Sequence, residues 1–387
     1  MSLEDVIQLS LTGPGSHRLK MRPGVGVVII GPKGSLPKPD LMVDPADRID
    51  WSVFDSIQMS SGSLWPRRIV YRGVDTAVFA WADEGRPVEQ LDFFATGPVD
   101  LDASESEIGC LRVVSSGHSV GIRLPSATRC RLLVLDGDPT TFSVTAHTDG
   151  AIPPTVLRLG SSPHTPTSVS APRALPPMSA LEALTDLSVE NGPLDAPFDL
   201  GTLDQFPGLR RLKLAGSVTG LERLASRDLD ALELRYIPDL AGLPSIATWP
   251  KLSTFIMWNC DAKASKLVTQ ELRRLPPTEH HRSVSQPRDR AWFIQEYGLP
   301  FSAWPARSAK QASAAFKRAA KLISAAKSED AALAAVGEFT QAANQIDGLA
   351  TTEREDLADA VHLLAGLSPI TISEKLALRK FDAVRGF

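Results

Sequence analysis

Four stretches of the chain repeat one spacing of apolar residues. Leu184, Leu187 and Val189 stand three and then two apart. So do Leu209, Leu212 and Leu214, then Leu229, Leu232 and Leu234, then Leu252, Phe255 and Met257. Within each stretch the last two apolar residues are two apart, so both point to one side of an extended strand. A single such strand cannot bury that side. Stacked copies can, by pairing side by side so that their apolar residues form one continuous column. The residues between and beside the apolar pair then point to the opposite face. This spacing constrains the fold more than any other feature of the chain.

The pattern, closed by Asn191 in one unit and by Asn259 in another, resembles the leucine-rich repeat family of the bacterial type, with irregular repeats. The resemblance implies an α/β solenoid, a right-handed superhelix with a parallel β-sheet on its concave side. It also implies a concave face that binds partners. The first apolar position of the pair can be tracked through Ile57, Ala77, Leu91, Leu111, Leu133, Leu157, Leu187, Leu212, Leu232 and Phe255. Most steps are 20 to 25 residues, with one of 14 and one of 30. The long step holds Ser161-Ser162-Pro163-His164-Thr165-Pro166, read as an insertion on the convex side. Behind the later strands, Leu221 and Leu224, then Leu240, Leu243, Ile246 and Trp249, fall at spacings of three, which suit short helical or 3₁₀ turns. The earlier units carry Pro, Ser and Thr there, and irregular connections are expected.

Four segments follow. Residues 1–50 read as an N-terminal strand or hairpin cap, with Asp5 to Leu11, a Gly13-Pro14-Gly15 turn, and the β-branched run Gly24 to Ile30. Residues 51–274 read as the solenoid. Residues 275–305 read as a linker with an aromatic cap formed by Trp292, Phe293, Tyr297, Phe301 and Trp304. The sharper alternative for those aromatics is a stacking platform for nucleic acid. From 306 to 387 the composition shifts to Ala, Leu, Lys and Glu, and a small α-helical bundle is expected. Its first helix, Ser308 to Lys327, places Phe316, Ala319, Leu322 and Ile323 on one face. Ser328 caps the second helix and Ser373 starts the last. Thr352 and Glu355 suggest a capping box for the third, whose buried face is Leu357, Val361 and Leu364.

Composition narrows the function classes. Of 387 residues, 43% are hydrophobic and 22% charged, enough apolar material for a large core. The net charge of −4 shows no basic excess, so nucleic acid is not the expected partner. Cys110, Cys130 and Cys260 are odd in number and lack C-x-x-C spacing, which argues against a disulfide framework or a zinc site. No metal and no cofactor are expected. The Gly31-Pro32-Lys33-Gly34-Ser35 segment lacks phosphate-loop spacing and reads as a turn. Residues 1–13 carry Glu4 and Asp5 and no long apolar run, so neither a signal peptide nor a membrane span is expected, and the chain reads as cytoplasmic.

Three sets of residues could carry function. The first is the concave face. Phe94, Arg112, Val114, Leu132 and Val134 make an apolar patch, followed by Asp136, Arg158, Asp186, Glu190, Lys213, Glu233, Arg235 and Trp258 with charges of both signs. An apolar patch rimmed by charge suits a protein interface, and the bland alternative is a sheet face merely solvated by its charges. The second is Gly117-His118-Ser119-Val120-Gly121, which matches the G-x-S-x-G nucleophile elbow of serine hydrolases, with Asp136 and His147 after it in the required order. That chemistry needs a helix directly after Ser119, whereas Ile122-Arg123-Leu124-Pro125 reads as strand and then break. The third is the basic side of the first bundle helix, Arg307, Lys310, Lys317, Arg318 and Lys321. It would suit nucleic acid or another acidic partner, or simply be the solvated side of an amphipathic helix. From 305 onward 11 basic residues face 10 acidic ones, so the bundle as a whole is not basic. The favoured reading is a non-enzymatic scaffold that binds a protein partner on the concave face.

Overall fold

The computed structural model describes residues 6–20, 26–55, 57, 64–83, 85–159, 171–274, 281–301, 304–370 and 372–386. The described residues fall into two compact units. One comprises 6–159, 171–260 and 264–285, and the other 261–263 and 286–386.

The first unit is built on a twelve-stranded parallel sheet. Its strands are Val27–Gly31, Leu41–Met42, Arg68–Gly73, Gln90–Ala95, Cys110–Ser115, Leu132–Asp136, Thr155–Arg158, Asp186–Glu190, Arg211–Ala215, Ala231–Arg235, Thr254–Trp258 and His281–Ser285. Each strand lies beside the one before it in sequence, except Arg68–Gly73, which pairs with Val27–Gly31 and leaves Leu41–Met42 at the outer edge. The apolar pairs set the register. Leu187, Leu212, Leu232 and Phe255 align across four strands, as do Val189, Leu214, Leu234 and Met257. All eight are buried. Removing each such side chain from water stabilises the fold by about 1.5–3 kcal/mol, which is why a one-residue slip is not tolerated.

The array differs from the sequence reading at its beginning and at its end. Ile57 is buried but not in a strand, and Ala77 is exposed at the start of a short helix, Ala77–Trp81. The strands of that region are Val27–Gly31 and Arg68–Gly73, whose core pairs are Val28 with Ile30 and Ile69 with Tyr71. Neither contains leucine, so the leucine spacing passed over them. The run ending at Ile30 thus belongs to the main sheet. The antiparallel hairpin instead joins Val6–Leu9 to His17–Lys20. Leu157 takes the second core position, opposite Leu135 and Val189, and Thr155 takes the first. Thr155 is buried because its hydroxyl donates to the Pro153 carbonyl at 2.9 Å. At the far end, the polar segment read as a linker supplies the last strand, His281–Ser285. The Ser161–Pro166 insertion and residues 275–280 of the segment read as a linker lie outside the described residues.

The side of the core away from the sheet is closed in two ways. In the middle of the unit, Val99–Asp102, Val120–Arg123 and Phe142–Thr145 form a second, three-stranded parallel sheet. Irregular connections were expected here. The alternation of apolar and polar residues in Val120-Gly121-Ile122-Arg123 is a strand pattern, and Val120 and Ile122 are buried. Further on, 3₁₀ turns at Leu200–Gln205, Leu221–Ser226 and Ile246–Thr248 take over. Leu221, Leu224 and Ile246 pack inward from them.

A left-handed residue follows the strand at five positions. Gly137, Gly216, Tyr236, Asn259 and Gln286 all have positive φ, from +52° to +134°. Each of the first four donates its backbone N–H to the last residue of the next strand, as Gly216 does to Arg235 at 3.0 Å. Gly216 cannot be replaced without strain, because a Cβ there would lie 2.0 Å from the Asn191 carbonyl oxygen.

The second unit is helical: Arg290–Tyr297, Ala306–Ser324, Glu329–Ala343, Thr351–Gly366 and Glu374–Val384. Its core contains Phe316, Ile323, Phe339, Leu357, Val361, Leu364 and Phe381. Leu322, expected inside, is 44% exposed, one position beyond the buried arc. Ser328 and Ser373 cap their helices as expected, accepting from the N–H groups of Ala331 and Leu376 at 3.2 Å each. The third helix is capped otherwise. Its N-cap is Ala350, whose N–H donates to the Glu353 carboxylate at 3.1 Å. The expected cap at Thr352 lies inside the first turn. No helix among the described residues is long and apolar enough to cross a membrane.

Candidate interaction surface on the outer face of the sheet

The face of the main sheet opposite the core is a grid, because parallel register puts every second residue of each strand on it. One row runs Arg72, Phe94, Val114, Asp136, Arg158, Glu190, Ala215, Arg235, Trp258. The neighbouring row runs Asp92, Arg112, Val134, Val156, Ser188, Lys213, Glu233, Ile256. Leu132 pairs with Cys110 in a third. The structure therefore brings Phe94, Arg112, Val114, Leu132, Asp136, Arg158, Glu190, Lys213, Glu233, Arg235 and Trp258 onto one face, each half-buried. Val134 is the exception. It holds its place in the second row but is only 3% exposed, so it offers no surface to a partner.

The charges on this face pair with one another. Arg112 bonds to Asp136 and lies 4.0 Å from Asp92. Arg158 meets Glu190 at 2.8 Å, Arg211 meets Asp186 at 3.3 Å, and Arg235 meets Glu233 at 3.0 Å. Such partly exposed pairs stabilise by about 0–1 kcal/mol each, so they order the face more than they hold the fold. Burial pushes the Asp186 carboxyl above its ordinary range, against the pull of Arg211, with Glu233 adding to the rise. Burial likewise raises the Cys110 thiol, and the nearby Asp92 carboxylate adds to it. Cys130, more deeply buried, is pushed up to about 11. Neither thiol is activated as a nucleophile.

Aromatic rings sit at both ends of the first row. The Arg72 guanidinium lies over the Phe94 ring, 3.9 Å from its centre, and Arg112 approaches the same ring at 5.6 Å. Burial lowers the Arg72 pKa, and the Arg112 charge lowers it further. At the other end, Trp258 meets Tyr236 edge-on, with ring centres 5.0 Å apart, and Arg235 stands 5.7 Å from the Trp258 ring. Arg72 and Tyr236 were not singled out from the sequence. Arg72 sits in a strand without leucine. Tyr236 comes just after its strand, in a left-handed conformation that brings it beside Trp258.

The residues of the hydrolase constellation stand in other surroundings than that motif calls for. Val120–Arg123, directly after Ser119, is a strand, so the elbow lacks its helix. The Asp136 carboxylate bonds to Arg112, and the His147 Nδ1 lies 3.0 Å from Asp149. Asp149 also accepts from the Ser126 hydroxyl at 2.7 Å, so Asp136 and His147 are each engaged with other partners, Arg112 and Asp149. Among the described residues no group of His, Cys, Asp and Glu side chains could hold a metal ion. On the first bundle helix, Arg307, Lys310, Lys317, Arg318 and Lys321 are all exposed, and Lys317 is paired with Glu296 at 2.6 Å. Of the expected aromatic cap, Trp292, Phe293 and Tyr297 pack on each other within one helix, while Phe301 and Trp304 enter the helical core. Trp304 Nε1 donates to Asp356 at 2.7 Å.

Compared with known proteins, the chain matches no family model, no curated protein and no solved structure.

Proposed function

We propose that the chain is a non-enzymatic interaction scaffold of the leucine-rich-repeat kind. In this reading the first unit is a right-handed solenoid, the outer face of its sheet is concave, and that face binds a protein partner. The helical segment 306–387 is then a separate module. The observation that carries the reading is the grid itself, in which half-buried Phe94, Val114, Leu132 and Trp258 stand among arginines and carboxylates already held in place by one another. Apolar anchors inside an ordered charged rim are what a protein interface uses, and ordering the rim before binding lowers the entropic cost of association. The leucine spacing, the strand-by-strand progression of the sheet and the 3₁₀ turns behind it favour the solenoid.

The test is alanine replacement of the large side chains at the aromatic edge. Trp258→Ala and Arg235→Ala should each weaken a partner recovered from the native host by about 2 kcal/mol or more, with the melting transition unchanged. If Trp258→Ala binds normally while a Lys317→Ala, Lys321→Ala double variant does not, the helical module is the receptor. Labelling of the purified protein by a fluorophosphonate, lost in Ser119→Ala, would replace the scaffold with a hydrolase.

A further inference from the structure

The charges on the outer face do not balance. Its strand residues contribute five carboxylates, Asp92, Asp136, Asp186, Glu190 and Glu233, and each lies within 4.0 Å of an arginine on the same face. The same strands contribute seven cations to this face (Arg282 aligns with Phe255 in a core row), of which Arg112, Arg158, Arg211 and Arg235 serve those carboxylates and Arg68 is paired with Glu89. Arg72 and Lys213 remain. Neither has a carboxylate within 4.0 Å among the described residues. Arg72 uses one nitrogen on the Leu36 carbonyl at 2.7 Å, and its Nη1 is buried with no hydrogen-bond partner among the described residues. Lys213 lies in the row between Ser188 and Glu233, and Glu233 is already taken by Arg235. The surplus on this face is therefore positive, although the chain as a whole carries −4.

The spacing of the two cations defines the ligand. Six strand-to-strand steps separate the Arg68–Gly73 strand from Arg211–Ala215. At about 4.8 Å per step the two lie about 29 Å apart, and an extended chain covers that distance in about nine residues. Between them, Phe94, Val114 and Leu132 are half-buried apolar surface. We propose that the outer face takes an extended acidic segment of a partner protein, laid across the strands, with carboxylates at its two ends on Arg72 and Lys213 and apolar side chains between them on Phe94, Val114 and Leu132. This rests on the scaffold reading and adds the chemistry and length of the partner segment.

An array of fluorescein-labelled nine-residue peptides tests it. One set carries glutamate or aspartate at both ends with varied apolar residues between, and a mirror set carries lysine at the ends. Acidic peptides should bind the full-length protein and the lysine set should not. Arg72→Gln and Lys213→Gln should each weaken the acidic peptides at least about tenfold, because each leaves one terminal carboxylate without its cation. Lys213 is half-buried with no carboxylate within 4.0 Å among the described residues, so Lys213→Gln keeps the test informative even if Arg72→Gln disturbs the stacking on Phe94. Failure of the whole acidic set to bind overturns the inference. Binding of the lysine set, lost in Trp258→Ala, also overturns it while leaving the scaffold reading in place. A 20-nucleotide single-stranded DNA that binds as well as the peptides, with the same sensitivity to Lys213→Gln, overturns it in favour of nucleic acid. Acidic peptides that bind the glutamine variants normally but not a Lys317→Glu, Lys321→Glu variant would sink both this inference and the scaffold reading.

Discussion

Residues 90–145 and residues 186–258 solve the same packing problem differently. Both lay an apolar pair on each strand against the core, Leu111 with Val113 in one and Leu232 with Leu234 in the other. Both align those pairs in parallel register. Their backs differ. The first region closes the core with the strands Val99–Asp102, Val120–Arg123 and Phe142–Thr145, and the second with 3₁₀ turns. The cause is the spacing of apolar residues behind the sheet. Val120 and Ile122 are two apart and face inward together only in a strand. Leu221 and Leu224 are three apart and do so only in a tight helical turn. One period for the sheet side thus tolerates two periods for the back, provided each buries the same column.

The largest effect expected is common to both regions. Leu111→Ala and Leu232→Ala each leave a cavity in the shared column and should cost about 2–5 kcal/mol in chemical denaturation. If one costs under about 1 kcal/mol and the other does not, the two regions do not share a core. A slightly smaller effect is expected at the turn that follows the 211–215 strand. Gly216→Ala forces a Cβ against the Asn191 carbonyl and should destabilise by about 1–3 kcal/mol, whereas Gly117→Ala, also at positive φ but with open space around it, should cost less. Equal losses at the two glycines would mean that backbone conformation rather than crowding sets the cost.

On the outer face the effects shrink. Arg112→Ala removes the partner of Asp136 in the first region and Arg158→Ala that of Glu190 near the second. Each should change stability by about 1 kcal/mol or less, and less still in molar salt. The smallest effect concerns Asp186, whose carboxyl titrates above its ordinary value of 3.8 in the folded chain. The folded state then binds the proton more tightly than the unfolded one. Stability contributed by this group is present at low pH and declines as pH rises from 3.8 through the folded value. Asp186→Asn should flatten that part of the stability–pH curve, measured by denaturant titration at pH 3 to 7. A variant whose curve stays parallel to the parent's would show that Arg211 fully offsets burial at this site.

The sequence marked the strands where leucine carried the spacing and missed those where it did not. Arg68–Gly73 hides its core pair in Ile69 and Tyr71, and Thr155 is polar yet buried. The face was legible in outline, since period two alone places Phe94, Arg112, Arg235 and Trp258 on one side. Its detail was not. Val134 carries the right parity but is covered, because burial on the outer face depends on neighbours from other strands. Arg72 stacks on Phe94 from the adjacent strand. Ser119 matches a catalytic motif over five residues of local sequence, and a strand stands after it where that motif calls for a helix.

By itself, then, the sequence determined everything that a local period can specify: which side of each leucine-bearing strand is apolar, where the Ser328 and Ser373 caps fall, and that the last eighty residues are helical. These follow from interactions a few residues apart. The tertiary structure alone decided which strand lies beside which, that Leu41–Met42, Val27–Gly31 and Arg68–Gly73 form the first edge of the sheet, and how four arginines share five carboxylates across the outer face. Those outcomes join residues about twenty or more positions apart, and the chain pays their ordering entropy only when a whole column of side chains leaves water together.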